Sequence, residues 1–510
     1  MKLNIDQLIK RKDAALKHKN LWRSHLKECY RYAMPDKDTF DMHTQGQKKN
    51  LEVYDSTAQI GLQKYANRMQ TQVVPPWKQW CVLKAGTEIP EEQHEDINSK
   101  LEKVTKIVFD HINHSNFDTQ IHEAFLDLGI STGCLIAEAG DGIYSSLNFR
   151  AVPLAEIIPE RTELGKIENV FRNFKLPARD ILNIWPNATL SDEMKKDIET
   201  NNDCEEELLE ACYSIMENGV KKFHHIIIEE KEKYVLFEEV LSSNPFIVFR
   251  ESVIPSETIG RGRIMMLLPD IKTLNKIVEL NLKNAALAVS GIYTASDDGV
   301  INPYTIRLQA GSIIPVGSNS NENPTLRPLD RSGDFNMGQL IIKEYKELIN
   351  NVLFAQPFGQ LSETPVRTAT EMSIRQEDMV QTSASAFGRL QSELLEPLLN
   401  RVVDILKKQG KIPDIRVDGK EVTLKFTSPM SRAQDAEELM AFQSFMQNAA
   451  SVGPEMLQLT VKTEELPRFI ADKVGMPQTL IRTQQEIDEM KQKMTEMAQQ
   501  AASMQGQQNA

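Results

Sequence analysis

The chain has 510 residues, of which 41% are hydrophobic and 26% are charged, and its net charge at pH 7 is −13. This composition is typical of a globular protein rather than a disordered one, and the length allows about two to four domains. The acidic balance excludes a protein that coats nucleic acid through overall basicity, although it leaves room for a local basic surface.

The five cysteines are scattered through the sequence without a C-x-x-C pair. This predicts reduced thiols in a cytosolic compartment. The opening residues lack the apolar core of a signal peptide, and no apolar run approaches the roughly 18 residues that a membrane span needs. We therefore expect no membrane partner.

Helical patterns dominate the first 130 residues. Apolar side chains in residues 3–34 predict an amphipathic helix or helix pair that ends near Pro35. Asp55 or Ser56 can cap the helix that follows. The other elements expected here are a strand at residues 80–84 (WCVLK) and helices at 90–115 and 117–130.

The pattern then shifts towards period two, which favours strands. Residues 133–174 predict a small sheet, and residues 221–252 predict further strands. Between them, residues 177–217 carry the acidic run EEELLEAC and are predicted to be helical. The acidic runs of this half are interpreted as solvated helix faces rather than carboxylate sites. The first half is therefore predicted to be α+β.

Two helices then enclose a polar insert. The first is predicted over Leu268–Ser290, begun by Pro269 and Asp270, with apolar residues at steps of three and four. The second is predicted over 336–353. Short strand-like runs, GIYTASDD and SIIPVGS, lie in the insert between them.

A loop rich in proline and glycine, residues 354–367, precedes the last long helix. Thr368 and Glu371 form a capping box at its start, Pro397 should kink it, and Gly410 should end it. Beyond it we expect a strand or hairpin at 414–427 and helices over 431–510.

Sequence patterns that specify a reaction are absent: there is no GxxxxGK[ST], GxSxG, HExxH or zinc-spaced Cys/His cluster. His111, His114 and His122 are interpreted as ordinary surface histidines. His224 and His225 begin a strand whose alternation sends them to opposite faces. We predict no catalytic residue, no cofactor and no metal.

Two basic patterns have alternative interpretations. The segment Gly260-Arg-Gly-Arg263 could bind an anion before a helix, but a tight turn is favoured. Lys272, Lys276, Glu279 and Lys283 share one helix face. That face is either solvated, with a Glu279–Lys283 pair, or part of a positive belt if many copies surround a pore.

Several segments, taken in order, resemble the portal (head-to-tail connector) proteins of short-tailed, podovirus-type bacteriophages. The resemblance covers about residues 1–480, and Ile259 departs from it where an aromatic residue is expected. The segments that carry it are VYDSTAQIGLQKYANRMQTQVVPPWKQW (53–80), GRGRIMMLLPDIKTLN (260–275), DDGVINP (297–303), RTATEMSIRQED (367–378) and GRLQSELLEPLLNRVVDILKKQGKIP (388–413).

The resemblance implies an α+β, mainly α, elongated subunit that assembles into a ring, typically of 12 copies. It further implies seven regions: an α+β wing (1–267), a first stem helix (268–290), a clip (291–335), a second stem helix (336–353), a channel loop (354–367), a wing spine helix with strands (368–430), and a crown with a helical C-terminal tail (431–510).

The implied function is to form a ring at one capsid vertex that conducts DNA during packaging and ejection. The expected partners are double-stranded DNA, the terminase large subunit, a tail adaptor protein, the major capsid and scaffold proteins, and internal core proteins. The expected location is the virion, after assembly in the host cytoplasm. The residues predicted to meet DNA are Lys272, Lys276, Lys283, Lys343 and Lys346 on the helices and Gln356, Gln360 and Arg367 in the loop.

Two alternatives stay open. The α+β N-terminal half could carry an enzyme of unknown class, which would be monomeric or dimeric rather than annular. A capsid scaffold or internal head protein is the other, and the strand-rich residues 133–252 argue against it.

Overall fold

The computed structural model describes two compact units. The first comprises Met1–Leu26, Tyr65–Gly262 and Gln360–Ala510, and the second comprises Lys27–Lys64 and Arg263–Gly359. The residues described within them are 3–37, 40, 53–76, 78–86, 88–90, 94–160, 165–200, 205–255, 257–290, 293–295, 326–328, 335–353, 387–414, 422–427, 438–439, 441–446, 466, 469–471, 490 and 493.

These ranges contain both helices and strands. The helices are α1 (Ile5–Ala33), α2 (Thr57–Val73), α3 (His94–Asn113), α4 (Phe117–Ile130), α5 (Ala178–Ile184), α6 (Asp192–Thr200), α7 (Arg263–Ser290), α8 (Phe335–Val352) and α9 (Glu396–Lys408). The strands are β1 (Cys81–Ala85), β2 (Thr132–Ala139), β3 (Leu147–Ala151), β4 (Ile157–Pro159), β5 (Val170–Pro177), β6 (Glu205–Glu217), β7 (Val220–Glu229), β8 (Tyr234–Leu241), β9 (Phe246–Arg250), β10 (Tyr293–Ala295), β11 (Leu326–Pro328) and β12 (Val422–Phe426).

The largest sheet of the first unit has five antiparallel strands in the order β4-β5-β6-β7-β8. Alternation along β6 divides its apolar residues between two faces. Leu209 and Tyr213 pack with Leu8 of α1 on one face. Leu208 packs with Ile181 of α5 on the other. Helices therefore cover both faces of this sheet.

The prediction of helix over 177–217 is wrong for its last third, because Glu205–Glu217 is a thirteen-residue strand. Glutamate, leucine and alanine favour helices when nothing else decides. Here β6 pairs with β5 along one edge and with β7 along the other. Pairing on both edges and burial of both faces override that local preference.

A second sheet of the first unit has the order β3-β2-β9. Strand β2 lies at its centre and is almost wholly buried. Arg401 of α9 is also buried and donates from Nε to the Ala137 carbonyl oxygen at 3.0 Å. Strands are thus confirmed in the predicted range 133–174, but they do not form one small sheet: β2 and β3 pair here with β9, whereas β4 and β5 belong to the five-stranded sheet.

The last long helix contains an irregular turn. Residues Gln391–Leu395 form a π-helical turn directly before α9, where Pro397 occupies the first turn. Because proline has no N–H to donate, the hydrogen-bond ladder is interrupted here. The sequence predicted a kink at Pro397. The structure instead shows the π-helical turn, about one turn before this proline. Gly410 follows α9 with a φ of 69°, as predicted for a helix end.

Gly262 approaches the backbone of α4 too closely for a side chain. A Cβ atom there would lie 2.3 Å from the Ile130 carbonyl carbon. We expect Gly262→Ala to lower the free energy of unfolding by about 1–3 kcal/mol. Urea denaturation measures this change. Gly388→Ala is the matched control, since a Cβ at this helical glycine meets nothing within 4 Å. That variant should gain roughly 1 kcal/mol, and equal losses in both would contradict the packing argument.

The second unit is built around α7 and α8. Arg263, the first residue of α7, donates to the carbonyl oxygen of Val352, the last residue of α8, at 2.8 Å. Near the opposite ends, a Cβ added to Gly338 would lie 2.9 Å from the Asn281 amide. The two helices therefore run antiparallel in close contact, and glycine permits their approach.

Predicted and observed helix bounds differ at α7. The helix begins at Arg263, five residues before the predicted Leu268, and Pro269 lies inside it rather than at its start. The prediction had assumed that Pro269 occupies the first turn of the helix. Helix α8 matches the predicted 336–353 within a residue at each end.

Other predicted segments fall partly or wholly outside the described residues. These are the run SIIPVGS, the loop 354–367, the capping box at Thr368 and Glu371, and most of 431–510. Within the insert, Tyr293–Ala295 pairs with Leu326–Pro328. Val422–Phe426 of the predicted 414–427 hairpin pairs with Cys81–Ala85. No helix in the described part of the chain is both long and apolar enough to cross a membrane.

Candidate nucleic-acid interface

Three of the predicted DNA-contacting lysines project from α7, and each contacts a carboxylate. Lys272 Nζ lies 3.1 Å from the Glu28 carboxylate at the end of α1. Glu279 accepts from Lys276 at 3.0 Å and from Lys283 at 2.5 Å. The hydrogen bond from Lys283, followed by that from Lys276, lowers the pKa of Glu279. The predicted Glu279–Lys283 pair is confirmed.

The two lysines of α8 are also paired. Lys346 Nζ lies 2.7 Å from Asp55, and Lys343 Nζ lies 3.8 Å from Glu347. Burial raises the pKa of Asp55, but hydrogen bonds from Lys346 and Thr57 outweigh it, so the pKa falls below its usual value. Asp55 also accepts from the Thr57 N–H at 2.9 Å, as predicted for the cap of α2.

Together the five lysines and their four acidic partners carry one net positive charge per chain. All five lysine side chains are nevertheless exposed, so their ammonium groups can exchange partners. Sequence reasoning found Glu279 because it lies on the same helix face. It missed Glu28 and Asp55, which are more than 240 residues from their partners in the sequence.

The remaining predicted contacts, Gln356, Gln360 and Arg367, lie outside the described residues. The glycine- and arginine-rich segment before α7 is described. Arg261 makes two hydrogen bonds to Glu257, at 2.8 and 2.9 Å, and lies over the Trp22 ring. Its guanidinium is thus engaged within the chain. This supports the tight turn rather than an anion site.

Histidines do not form a metal site in the described part of the chain, where no cluster of three metal-ligating side chains occurs. His111 Nδ1 lies 3.2 Å from Ser146 Oγ, and His114 Nδ1 lies 2.6 Å from the Asp110 carbonyl oxygen. His224 and His225 lie on β7 and have different partners, as the predicted alternation requires.

A buried ionic network centres on His225. Its Nε2 contacts Glu210 at 2.9 Å and its Nδ1 contacts Glu239 at 3.0 Å. Arg172 joins Glu210 at 3.2 Å and Glu156 at 2.8 Å. The Glu210 side chain is 0% exposed, which corrects the interpretation of the EEELLE run as a solvated face. Solvent does not reach His225 or Glu210 at its centre, so this pair acts in stability, whereas Glu239 and Glu156 at its edges are partly exposed.

The charge state of this network follows from its geometry. Both ring nitrogens of His225 face carboxylates, so both carry protons. Burial lowers the pKa of His225, but the hydrogen bonds to Glu210 and Glu239 outweigh it and raise the pKa to about 9. Burial raises the pKa of Glu210, yet His225 and Arg172 bring it down to about 2.

Comparison with known proteins decides the family. The family model of the bacteriophage head to tail connecting protein matches residues 6–481. The chain belongs to this family. It is 20% identical over 489 residues to the probable portal protein of Bordetella phage BPP-1, covering 89% of this chain and 82% of the relative.

Two other portal proteins are similar to this chain. The portal protein of Salmonella phage epsilon15 is 20% identical over 485 residues, with 90% of this chain and 84% of the relative covered. The portal protein of Escherichia phage T7 is 19% identical over 426 residues, with 80% and 74% covered. The expected family is therefore confirmed, and the protein is a phage portal-type virion component of a structural family.

Proposed function

We propose that the protein forms a closed ring of about 12 copies, as the family resemblance implies, at one vertex of the capsid. The ring passes double-stranded DNA inward during packaging and outward during ejection. It also docks the terminase large subunit and the tail adaptor. The observation that carries this proposal is the family match, which spans residues 6–481 rather than one local motif.

Within this proposal, α7 and α8 are the stem helices and the insert between them is the clip that meets the motor and the adaptor. The loop 354–367 is the channel loop, with Gln356, Gln360 and Arg367 near DNA. The major capsid and scaffold proteins, and internal core proteins, surround the wing and crown. The α+β half has a structural role, and the enzyme alternative receives no support from its buried charges.

A channel must hold DNA weakly enough to let it slide. Each phosphate contact adds a sequence-independent attraction that falls with salt. The pairing of Lys272, Lys276, Lys283, Lys343 and Lys346 with acids suits this requirement, because it leaves a sparse positive belt. We propose that these lysines face the channel and contact phosphates transiently.

This function is tested with heads assembled with and without the protein. Heads that contain it should protect a full-length genome from nuclease in the presence of terminase and ATP. Heads assembled without it should protect none. Equal protection in both preparations would refute the proposed role in packaging.

The belt makes a separate prediction about Glu279. Glu279→Gln removes the shared partner of Lys276 and Lys283 and should strengthen DNA binding by the assembled protein. The slope of log K against log salt should steepen by up to about 0.9 per added phosphate contact. Binding is measured by fluorescence anisotropy over a salt series.

The matched control for this variant is Glu207→Gln. It releases Lys175, an exposed lysine of the five-stranded sheet, with the same change of charge. The control should leave the salt slope unchanged. Equal slopes for Glu279→Gln and Glu207→Gln would remove α7 from the DNA-contacting surface.

A further inference from the structure

The loop between β2 and β3 holds two apolar side chains out in solvent. Ile143 is 81% exposed and Tyr144 is 89% exposed. The Asp141 carboxylate fixes the loop, since its Oδ1 accepts from the backbone N–H of Ile143 and Tyr144 at 3.0 Å and of Ser145 at 3.3 Å. Gly142 supplies the positive φ of 72° that the turn needs. We call residues 141–145 the apolar tip.

A preformed loop loses little conformational entropy when it docks. Isolated exposed apolar residues are common on protein surfaces. Two adjacent large ones on a hydrogen-bonded loop are a more specific feature, and they resemble the aromatic anchors that dominate binding energies at interfaces. The apolar tip is therefore suited to insertion into a pocket.

The same unit contains a cavity of about 570 Å³ between α1 and the segments 159–160 and 257–259. This size falls within the range of roughly 300–1,000 Å³ typical of sites that enclose a ligand. Leu21, 81% exposed, is part of its lining. The other apolar lining residues are Ala14, Ala15, Trp22, Pro159 and Ile259. We call this space the α1 cavity.

One polar group in the α1 cavity lacks a charged partner at hydrogen-bonding distance among the contacts that the structure describes. Lys19 is 6% exposed, and its ammonium donates to the carbonyl oxygen of Ala155. The two carboxylates of the lining are engaged elsewhere: Glu160 binds Arg11 and Glu257 binds Arg261. Burial lowers the pKa of Lys19 to about 7, which reflects this incomplete compensation.

We propose that the apolar tip of one copy of the chain inserts into the α1 cavity of a neighbouring copy. The Tyr144 hydroxyl then accepts a hydrogen bond from Lys19, while the apolar surfaces of Ile143 and Trp22 are removed from water. This contact rests on the proposed function, because the ring supplies the neighbouring copy.

Charge and symmetry favour a second copy as the occupant. The tip carries one charge, the Asp141 carboxylate, whose pKa is lowered by the backbone N–H groups of Tyr144 and Ser145. The charged lining residues of the cavity are Arg11, Lys19, Glu160 and Glu257. Because Glu160 and Glu257 are paired with arginines, Lys19 is the charge left to face Asp141. The tip and the cavity are different surfaces of one unit. Their contact is therefore head-to-tail, the kind that closes a ring when the rotation allows.

Cysteine cross-linking tests this contact in the full-length protein. A chain with both Leu21→Cys and Tyr144→Cys is assembled and treated with a short bismaleimide. It should give a ladder of covalent multimers up to the whole ring. A mixture of the two single variants should give dimers only, because each copy then carries one reactive side of the contact.

The matched control replaces Tyr144→Cys with Met216→Cys, an exposed apolar position at the end of β6. The unaltered chain gives the background from the native thiols, of which Cys29, Cys81, Cys134 and Cys212 are buried. The ladder should exceed both controls at least about tenfold.

In parallel, the double variant Ile143→Ser with Tyr144→Ser should dissociate more readily. The concentration at which half of its rings dissociate should rise at least about tenfold.

The possible outcomes distinguish a failure of the proposed contact from a failure of the proposed ring. Rings of normal mass without a ladder above the Met216→Cys control would overturn the contact and leave the ring in place. An unaltered chain that stays monomeric would overturn the ring and the contact together. Dimers from the doubly substituted chain, with no longer products, would also overturn it, since they indicate a two-fold rather than a head-to-tail pairing.

Discussion

Glu393→Gln is expected to lower the free energy of unfolding by about 3–5 kcal/mol, because it leaves a buried guanidinium without its counter-charge. Arg250 is 2% exposed. Its Nε and Nη2 donate to the Glu393 carboxylate at 3.1 and 2.7 Å. Nη1 donates to the Thr258 carbonyl oxygen at 3.0 Å, and Nη2 also donates to that of Gly165 at 2.9 Å. One side chain thus joins the end of β9, two loops and the π-helical turn.

The control for this variant is Glu257→Gln. Glu257 pairs with Arg261, whose side chain is 42% exposed, so water can replace the lost contact. This change should cost less than about 1 kcal/mol. Both variants are measured by urea denaturation followed by circular dichroism. Equal costs would show that the Arg250–Glu393 pair does not anchor the π-helical turn.

The second large effect is the contribution of His225 to stability, which is lost above neutral pH. The folded state holds the pKa of His225 at about 9, against an ordinary value of 6.5. A raised pKa stabilises the fold fully below pH 6.5, and this contribution is lost as the pH rises through about 9. The difference corresponds to about 3 kcal/mol.

Glu210 determines how stability changes at acidic pH. Its pKa of about 2 in the folded state lies below the ordinary 4.5. Its contribution is therefore complete above pH 4.5 and is lost as the pH falls through about 2. Together the pair should give a plateau of stability between pH 4.5 and 6.5. Thermal melting from about pH 2 to 10 measures this profile.

A double variant identifies the origin of the alkaline loss. His225→Phe with Glu210→Gln removes the titrating pair, while the amide oxygen of the introduced glutamine can still accept from Arg172. The stability of the unaltered chain relative to this double variant should therefore fall between pH 6.5 and 9; the opposite effect of Lys19, whose pKa burial lowers to about 7, is common to both chains and cancels in this difference. His114→Asn is the control, because it removes an exposed imidazole that lies outside the network. A difference between the two chains that does not change with pH would assign the alkaline loss to other groups.

Elements whose local pattern agrees with their surroundings could be predicted from the sequence. Helices α3, α4 and α8 show apolar residues at helical spacing, and their ends fall close to the predicted ones. Strand β6 could not be predicted, because its glutamates and leucines favour a helix locally. Its partners β5 and β7 fall largely in segments that were expected to form strands, but nothing in the local pattern of β6 shows that it pairs between them.

For the candidate DNA-contacting residues, too, the local pattern predicted some features, and others depended on distant parts of the chain. The spacing of Lys272, Lys276 and Lys283 correctly placed them on one helix. Their net charge could not be predicted, because Glu28 reaches Lys272 only once α1 and α7 lie together. The buried pair of Glu210 and His225 was missed for a similar reason. A glutamate within an acidic run carries no local sign that a histidine on the neighbouring strand will bind it.

The central claim, that this chain is a portal ring, is tested most directly by the mass and shape of the purified protein. Mass photometry combined with negative-stain microscopy should show closed annular particles with a central channel. Their mass should be about 12 times the chain mass of 57.9 kDa. A protein that remains monomeric or dimeric at every concentration, with no annular particles, would contradict the account.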